Sequence, residues 1–342
     1  MSAKWQDKLK KREEEEGTMR SLFRLENKLD FFSNDYLGMS ALEISLKTKV
    51  GSTGSRLISG NSKEAEECES FLADWFKTEA ALVFNSGYDA NLGFFSSVPQ
   101  KGDTVLYDEK IHASVRDGVR LSFASSFSFG HNNTEDLKKK ILKAEGTVFV
   151  VVESLYSMAG DISPLGNILA ICKLTNANLI VDEAHACGVF GEHGRGLVDS
   201  LPDSSSVFAR IITFGKAYGY HGAAVLCSNQ IKQFLINFAR SFIYTTALPK
   251  ESYSQIQERV GHDSIPQRQR QLQRNISEFR SQFPENTFVS EVNSPIQFMR
   301  IGNVEETKRN EQEFLNKGWA VKAILSPTVA KGEEGIRFCI HF

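Results

Sequence analysis

Two ionisable groups and a histidine stand where apolar runs of the sequence end. Asp182 and His185 belong to "VDEAHACG", and Lys216 lies in "TFGKAYG" among small and aromatic residues. A carboxylate at the end of a buried strand is costly unless a cation faces it, and a protonated pyridine nitrogen is a suitable cation. Small, neutral neighbours favour the free amine of a lysine, which can bond to an aldehyde. These residues indicate the chemistry of pyridoxal phosphate.

Two further motifs supply groups that this cofactor needs. "NSGYDANLG" follows an apolar run and predicts a turn into a helix, where the amides of Gly87 and Tyr88 would face a phosphate. His112 in "DEKIHAS" is a candidate for stacking on the cofactor ring. Taken singly, Gly87 is equally well explained as a turn glycine, and His112 is more simply a surface or core histidine. Their order along the chain with Asp182 and Lys216 favours the functional interpretation.

The tetrapeptide "DEAH" also invites interpretation as a helicase, which would require a phosphate-binding loop of the pattern G-x-x-x-x-G-K-[ST]. The nearest segment is Gly215-Lys216-Ala217, and an arginine, Arg210, stands where the first glycine of the loop is needed. The sequence also contains no G-x-S-x-G or G-x-G-x-x-G motif. A helicase, an α/β-hydrolase and a nicotinamide enzyme are therefore disfavoured.

Composition and charge exclude several other classes. The 342 residues include 40 basic and 42 acidic side chains, so no net field attracts nucleic acid or an anionic membrane. A zinc site of His185, Cys187 and His193 lacks a fourth ligand nearby in sequence, and we expect no metal. The cysteines form neither a CxxC pair nor a disulfide framework, and no apolar leader is evident. We expect a cytoplasmic protein whose partners are small molecules.

The elements that must position these residues alternate between helices and strands. Helical periodicity covers 63–76, 134–145 and 305–318. Between the helices lie continuously apolar runs, as expected of strands covered on both faces: "AALVF", "DTVLY", "TVFVVVES", "ANLIVDEAH", "IITFGK" and "AAVLCS". This pattern predicts an α/β fold with a mainly parallel central sheet, whose functional side chains gather where strands end.

A change of composition predicts the domain boundaries. The sequence becomes polar and rich in Gln and Arg beyond Leu248, before apolar runs resume. We therefore expect a large cofactor-binding domain over 41–248 and a small α+β domain over 249–342, which also includes the N-terminal segment 1–40.

Six motifs together resemble the α-oxoamine synthases: "FFSNDYLG", "GSTGSRLISGN", "FNSGYDANLG", "ESLYSMAGD", "VDEAHACGVFGEHGRG" and "TFGKAYGYHGAAV". They follow the order of that family and cover nearly the whole chain. The resemblance implies a pyridoxal-phosphate-dependent transferase of fold type I, the aspartate-aminotransferase fold. It also implies a homodimer and a decarboxylative condensation of an amino acid with an acyl thioester.

The resemblance assigns roles residue by residue. Lys216 matches the Schiff-base lysine, Asp182 the partner of the pyridine nitrogen, His185 the hydrogen-bond donor to the ring hydroxyl and His112 the stacking residue. Further cofactor contacts are expected at Gly87, Tyr88, Glu153, Ser157, Thr213, Thr245 and Thr246. One of the two adjacent threonines would reach the phosphate of the neighbouring subunit. Substrate contacts are expected at Arg20, Asn34, Thr328 and Arg337, of which Arg337 would bind the amino-acid carboxylate.

Within this family the motif "RLISGN" favours L-alanine and a pimeloyl thioester, carried by coenzyme A or an acyl carrier protein, as substrates. Two alternatives remain open. One is a glycine-using enzyme that makes aminolevulinate or aminooxobutyrate. The other is a non-catalytic protein that binds pyridoxal phosphate, against which the retention of Lys216, Asp182, His185 and Arg337 argues.

Overall fold

The computed structural model describes residues 11, 28–42 and 51–342. The chain divides into two compact units, which are built from discontinuous segments. The larger unit comprises the described residues of 34–157, 161–275 and 341–342. The smaller unit comprises the described residues up to 33, 158–160 and 276–340.

The strands of the described residues are numbered in chain order. They are β1 (Leu29–Asp30), β2 (Ala80–Phe84), β3 (Thr104–Asp108), β4 (Ser125–Phe129), β5 (Val148–Glu153), β6 (Asn178–Asp182), β7 (Ala209–Thr213), β8 (Ala223–Cys227), β9 (Ile296–Arg300), β10 (Trp319–Ala320), β11 (Lys322–Ile324) and β12 (Gly335–Cys339).

The helices are numbered in the same way. They are α1 (Lys63–Trp75), α2 (Gly87–Ser97), α3 (Ala113–Leu121), α4 (Thr134–Ile141), α5 (Leu165–Thr175), α6 (Asn229–Phe238), α7 (Arg240–Ile243), α8 (Lys250–Val260), α9 (Ile265–Ser281) and α10 (Val304–Asn316). Short 3-10 turns occupy Met39–Ala41, Glu192–Gly194, Val198–Ser200 and Ser204–Ser206. None of the described helices is long and apolar enough to cross a membrane.

The central sheet of the larger unit has seven strands in the order β2-β8-β7-β6-β5-β3-β4. Strand β8 runs antiparallel to both of its neighbours, and the other pairs are parallel. The predicted α/β class with a mainly parallel sheet is confirmed. The six predicted apolar runs correspond to β2, β3 and β5 to β8. Strand β4 lies at the edge with four of its five residues exposed, which explains why it lacks such a run.

Alternate side chains of the central strands enter hydrophobic cores on opposite faces of the sheet. Val151 of β5 packs in one core with residues of α2, α3 and α6. Val150 and Val152 pack in the other core with residues of α4 and α5. Helices therefore cover both faces of the sheet, and the strands are continuously apolar for that reason.

The parallel strands bring functional side chains to one edge of the sheet. Glu153, the last residue of β5, pairs in register with Asp182, the last residue of β6. Asp182 pairs in turn with Ile211, and β7 ends two residues later at Thr213. The carboxyl ends of these strands therefore position polar groups side by side.

The smaller unit has the predicted α+β character. Strands β11, β12 and β9 form an antiparallel sheet, and β1 pairs with β10 in parallel. Aromatic rings form its interior: Phe338 contacts the rings of Phe279, Phe283, Phe288 and Trp319 with centroid separations between 5.3 and 6.5 Å.

The boundary between the two units falls at a different position in the sequence from the predicted domain boundary. The sequence places that boundary after residue 248, whereas the smaller unit begins its long segment at Ile276. Helix α8 belongs to the larger unit because it packs against α1 and buries Tyr253 and Ile256. Its polar composition does not mark a linker, because the polar side chains of Glu251, Ser252, Gln255 and Arg259 are buried as well.

We expect Gly219→Ala to destabilise the larger unit. Gly219 has a φ of 61°, and a Cβ there would overlap the backbone of Met39 and Ser40. The variant should lose about 2 kcal/mol or more of unfolding free energy. Gly166→Ala on α5 is the matched control, since its Cβ would meet no atom within 4 Å. The control should be neutral or gain up to about 1 kcal/mol, and equal denaturation midpoints for the two variants would contradict the expectation.

Candidate active site

Two carboxyl groups lie side by side at the carboxyl edge of the sheet. Glu153 and Asp182 are only 3% and 5% exposed. The Oδ1 atom of Asp182 accepts a hydrogen bond from the amide of Ala184 at 2.9 Å. Burial and the neighbouring Asp182 charge raise the pKa of Glu153 to about 8. Glu153 is therefore protonated at neutral pH, and the two groups do not both carry a charge there.

Hydrogen bonds connect Asp182 to His112. Asn91 on α2 donates from Nδ2 to Asp182 Oδ2 at 2.8 Å and to Ser114 Oγ at 3.0 Å. Ser114 Oγ lies 2.7 Å from His112 Nδ1, and the Ser114 amide donates to the same nitrogen at 3.2 Å. Burial, assisted by the charge of Lys216, lowers the pKa of His112. Its imidazole is therefore neutral at neutral pH, with Nδ1 as an acceptor.

Lys216 lies in the turn that follows β7. Thr213 donates from Oγ1 to the Gly222 carbonyl at 3.0 Å, and the amide of Gly219 donates to the Lys216 carbonyl at 2.8 Å. The Lys216 charge lowers the pKa of His112 and opposes the rise in the pKa of Glu153. The turn thus places the ammonium group within electrostatic reach of the other site residues.

The N-terminus of α2 lies beside this turn. Ser86 caps the helix, since its side chain accepts a hydrogen bond from the Asp89 amide at 3.0 Å. A Cβ on Gly87 would lie 3.8 Å from Thr213 Cβ, so this glycine leaves the helix end open towards β7. The first amides of a helix favour an anion at such a position. Tyr88 is partly exposed, and its hydroxyl donates to Asp117 Oδ2 at 2.7 Å.

Thr245 and Thr246 lie beside the same helix end. Asn85 Nδ2 donates to Thr245 Oγ1 and to the Thr246 carbonyl, both at 2.9 Å. The structure thus brings both threonines to the residue that precedes the helix cap. Contact of either threonine with the phosphate of a neighbouring subunit stays a prediction.

His185 and Ser157 complete the set of candidate residues in the larger unit. The His185 Nδ1 atom lies 2.8 Å from the Tyr36 hydroxyl, which donates to Asn34 Oδ1 at 2.9 Å. The amide of Ser157 donates to Glu153 Oε2 at 3.3 Å. Both His185 and Ser157 are buried.

The residues present fit pyridoxal phosphate. A buried carboxylate, a nearby lysine and an open helix N-terminus are the groups that its ring nitrogen, aldehyde and phosphate require. Glu153 Oε1 is also buried and has no hydrogen-bond partner among the described residues. No three His, Cys, Asp or Glu residues in the described ranges group together to hold a metal ion.

Two of the predicted substrate residues belong to the smaller unit. Arg337 is on β12 and Thr328 is in the exposed turn before it, both in the smaller unit. Arg20 falls outside the described residues. The substrate roles of these residues stay predictions.

Sequence reasoning did not single out Asn91, Ser114 and Tyr36. Each lies close in sequence to a residue that was singled out. Asn91 follows Gly87 by one helical turn, which places it on the same face of α2. A buried polar residue one turn from a glycine at a helix N-terminus is a signal that could have identified it.

Comparison with known proteins shows the family and the class of enzyme to which the chain belongs. The family of class I and II aminotransferases matches residues 26–341, and the chain belongs to that family. This match confirms the predicted fold type I and the pyridoxal phosphate cofactor. The resemblance to the α-oxoamine synthases is also confirmed, and the protein is a pyridoxal-phosphate-dependent acyltransferase.

Three relatives show which members of this class the chain is similar to. The chain is 39% identical to 8-amino-7-oxononanoate synthase of Emericella nidulans, over 92% of this chain and 84% of that protein. The solved synthase of the same name from Francisella tularensis is 30% identical, with a TM-score of 0.78 and 92% of each chain covered. Serine palmitoyltransferase of Sphingomonas wittichii is 28% identical, with a TM-score of 0.85 over 92% of this chain and 82% of that chain.

We expect Glu153→Gln to flatten the pH dependence of stability. The folded-state pKa of about 8 exceeds the usual 4.5, so the folded protein binds one more proton than the unfolded chain between these values. Unfolding free energy therefore falls as pH rises through this window, by about 1.36 kcal/mol per pH unit at most. The glutamine variant should lose this contribution.

The measurement is the thermal midpoint of cofactor-free protein between pH 5.5 and 8. Glu285→Gln, at an exposed position, is the matched control and should keep the wild-type slope. A wild-type slope in Glu153→Gln would show that Glu153 is ionised throughout.

Proposed function

We propose that the protein condenses L-alanine with a pimeloyl thioester to give 8-amino-7-oxononanoate, carbon dioxide and the free thiol, a step of biotin biosynthesis. The observation that carries the proposal is the similarity, over about nine tenths of the chain, to synthases of that name. The arrangement of Glu153, Asp182, His112 and Lys216 around one edge of the sheet supports it.

The residues at that edge would hold the cofactor. The amides of Gly87 and Tyr88 would bind its phosphate, Asp182 its ring nitrogen, His112 its ring face and Lys216 its aldehyde carbon. Thr213, Ser157 and His185 would make further polar contacts with it. The chemistry that pyridoxal phosphate supplies when bound is an electron sink for the α-carbon of the substrate.

Side chains of the larger unit would hold or transfer the protons of the reaction. The Asp182 carboxylate keeps a proton on the ring nitrogen, because a buried anion favours a cation beside it. The Nζ atom of Lys216 accepts the α-proton of alanine as a general base. Protonated Glu153 adds no second negative charge next to Asp182. Neutral His112 would orient the ring of the cofactor and the carboxyl group of the substrate, which is lost as carbon dioxide once the acyl group has been added.

The substrate contacts extend the proposal to other parts of the chain. The guanidinium group of Arg337 would bind the alanine carboxylate as a fork of two hydrogen-bond donors. Asn34 and Thr328 would contact the substrate as well. Arg20 would pair with the distal carboxylate of the pimeloyl chain, since Leu325 stands where the related enzymes usually have an arginine.

A second candidate differs in both substrates. The higher TM-score to serine palmitoyltransferase favours a test of L-serine with a long-chain acyl thioester. Glycine with a short acyl group is the other condensation within this class. A protein that binds pyridoxal phosphate without catalysis is the remaining alternative.

A substrate panel tests the proposal. L-alanine, glycine and L-serine are each combined with pimeloyl-, acetyl-, succinyl- and palmitoyl-coenzyme A, and the released thiol is measured. L-alanine with the pimeloyl thioester should react fastest. Glycine should react about 10–200-fold more slowly, because a missing methyl group changes binding by roughly 1–3 kcal/mol.

Lys216→Ala is the control for this panel. It should abolish turnover, and borohydride reduction should attach the cofactor to Lys216 in the wild type alone. Faster turnover of serine with palmitoyl-coenzyme A, or of glycine with a short acyl group, would refute the substrate assignment. Absence of turnover with every pair, pimeloyl-acyl carrier protein included, would favour the non-catalytic alternative.

We also propose that the protein is a homodimer. Exposed apolar side chains near Thr245 support this part of the proposal, since Tyr244 is 72% exposed and Leu57 and Ile58 are 50% and 87% exposed. Large exposed apolar side chains are common where proteins associate.

Light scattering should give about twice the chain mass of 38.2 kDa. Tyr244→Asp should lower this mass and the activity together, because a buried unpaired charge weakens an interface. Phe123→Asp, at another exposed aromatic position, is the control and should keep the dimer mass. A fully active monomer would contradict the proposal.

A further inference from the structure

His131, which lies just after β4, has no role in the proposed reaction, yet it is held between two carboxylates. Its Nδ1 atom is 2.9 Å from Asp108 Oδ1, and its Nε2 atom is 2.6 Å from Asp161 Oδ2. A carboxylate only accepts hydrogen bonds, so both ring nitrogens must donate. With both ring nitrogens donating, His131 is an imidazolium ion that bridges Asp108 and Asp161.

The next residue strengthens the same bridge. Asn132 has a left-handed backbone with a φ of 53°, and its amide donates to Asp108 Oδ2 at 2.8 Å. Its Nδ2 atom donates to Asp161 Oδ2 at 3.1 Å and to the Ile162 carbonyl at 3.3 Å. The hydroxyl of Ser163 donates to Asn132 Oδ1 at 3.2 Å. His131 and Asn132, here called the bridging pair, thus bind both carboxylates twice.

One end of the bridge fixes the turn that carries His112. Asp108 ends β3 and is fully buried. Its Oδ1 atom also accepts a hydrogen bond from the Lys110 amide at 2.9 Å, and its carbonyl accepts one from the Ile111 amide at 3.0 Å. These bonds form the turn from β3 to His112, the N-cap of α3. Movement of Asp108 would therefore move His112.

The other end of the bridge fixes the loop that carries Ser157. The Asp161 carbonyl accepts a hydrogen bond from the Tyr156 amide at 2.9 Å, which closes the loop after Glu153. The ring of Tyr156 packs edge-on against His131 at a centroid distance of 4.6 Å. Ser157, the next residue, bonds to Glu153.

The charges around His131 favour its protonated form. Burial alone would lower the pKa of His131, but the hydrogen bonds to Asp108 and Asp161 outweigh burial and raise it to about 9. The amide of His131 also donates to Glu109 Oε1, and Asp136 on α4 accepts from the Gly130 amide. Lys140 forms an ion pair with Asp136. At the end of β5 and in the loop that follows it, the titratable groups are Glu153 and the Tyr156 hydroxyl. Most of the titratable groups around His131 are therefore carboxyl groups.

We propose that the charged bridge from His131 to Asp108 and Asp161 is a positioning device, which holds His112 and Ser157 in register for the cofactor. The roles of His112 and Ser157 in this inference rest on the proposed function. His131 itself does not contact the cofactor or the substrate, and it acts through the two segments that it joins.

The test is the equilibrium binding of pyridoxal phosphate, followed by its absorbance, without substrates. At pH 7, His131→Gln should weaken binding by about tenfold or more, a size that is typical of residues supporting ligand contacts. His193→Gln, at a half-exposed histidine of the same unit, is the matched control and should bind as the wild type does.

The pH dependence separates positioning by charge from a general loss of structure. The affinity ratio of wild type to His131→Gln should shrink as pH rises through about 9, because the wild type then loses the same charge. A constant ratio up to pH 10.5 would overturn the proposal, as would wild-type affinity of His131→Gln at pH 7.

Asp161→Asn keeps the inference testable if His131→Gln does not fold. Loss of one carboxylate should move the fall in affinity to lower pH, since it removes one of the interactions that raise the pKa of His131. An unchanged pH midpoint in this variant would also overturn the proposal. A wild type that binds the cofactor but turns over no substrate pair would refute the proposed function while leaving the bridge intact.

Discussion

The site depends on two carboxyl groups that the sheet buries next to each other. Parallel pairing of β5 and β6 places Glu153 beside Asp182 in the register of the sheet. Two charges at this separation repel strongly in a medium of low polarity, so one group keeps its proton. Asn91 donates a hydrogen bond to Asp182, and the charge of Lys216 acts on Glu153 beside it.

Polar groups on the neighbouring elements form a chain of hydrogen bonds that begins at Asp182, and they add no charge. Asn91 donates to Asp182, Ser114 joins Asn91 to His112, and His112 stays neutral because it is buried. A second layer, formed by His131 and its two carboxylates, does carry charge, but it lies behind the segments that bear His112 and Ser157. The charge on His131 therefore stabilises the positions of these two segments and adds no charge to the residues around Asp182.

Strands buried on both faces were predictable, and the exposed edge strand β4 was not. β5 reads as a continuous apolar run because helices cover both of its faces. β4 has the sequence "SSFSF" and four of its five residues are exposed, so serine is tolerated there and the run is interrupted. The position of α8 was hidden for a different reason, since several of its buried side chains are themselves polar, among them Glu251, Gln255 and Arg259.

The sequence by itself determined the class of fold, the cofactor and the residues at strand ends, because burial dictates apolar runs and each strand end exposes the next side chains to a common edge. Lys216, Asp182 and Gly87 were identifiable from such local patterns. Only the tertiary structure decided the protonation of Glu153, the link from Asn91 through Ser114 to His112, and the bridge at His131. These depend on distances between segments that are remote in sequence, and a local pattern does not encode such distances.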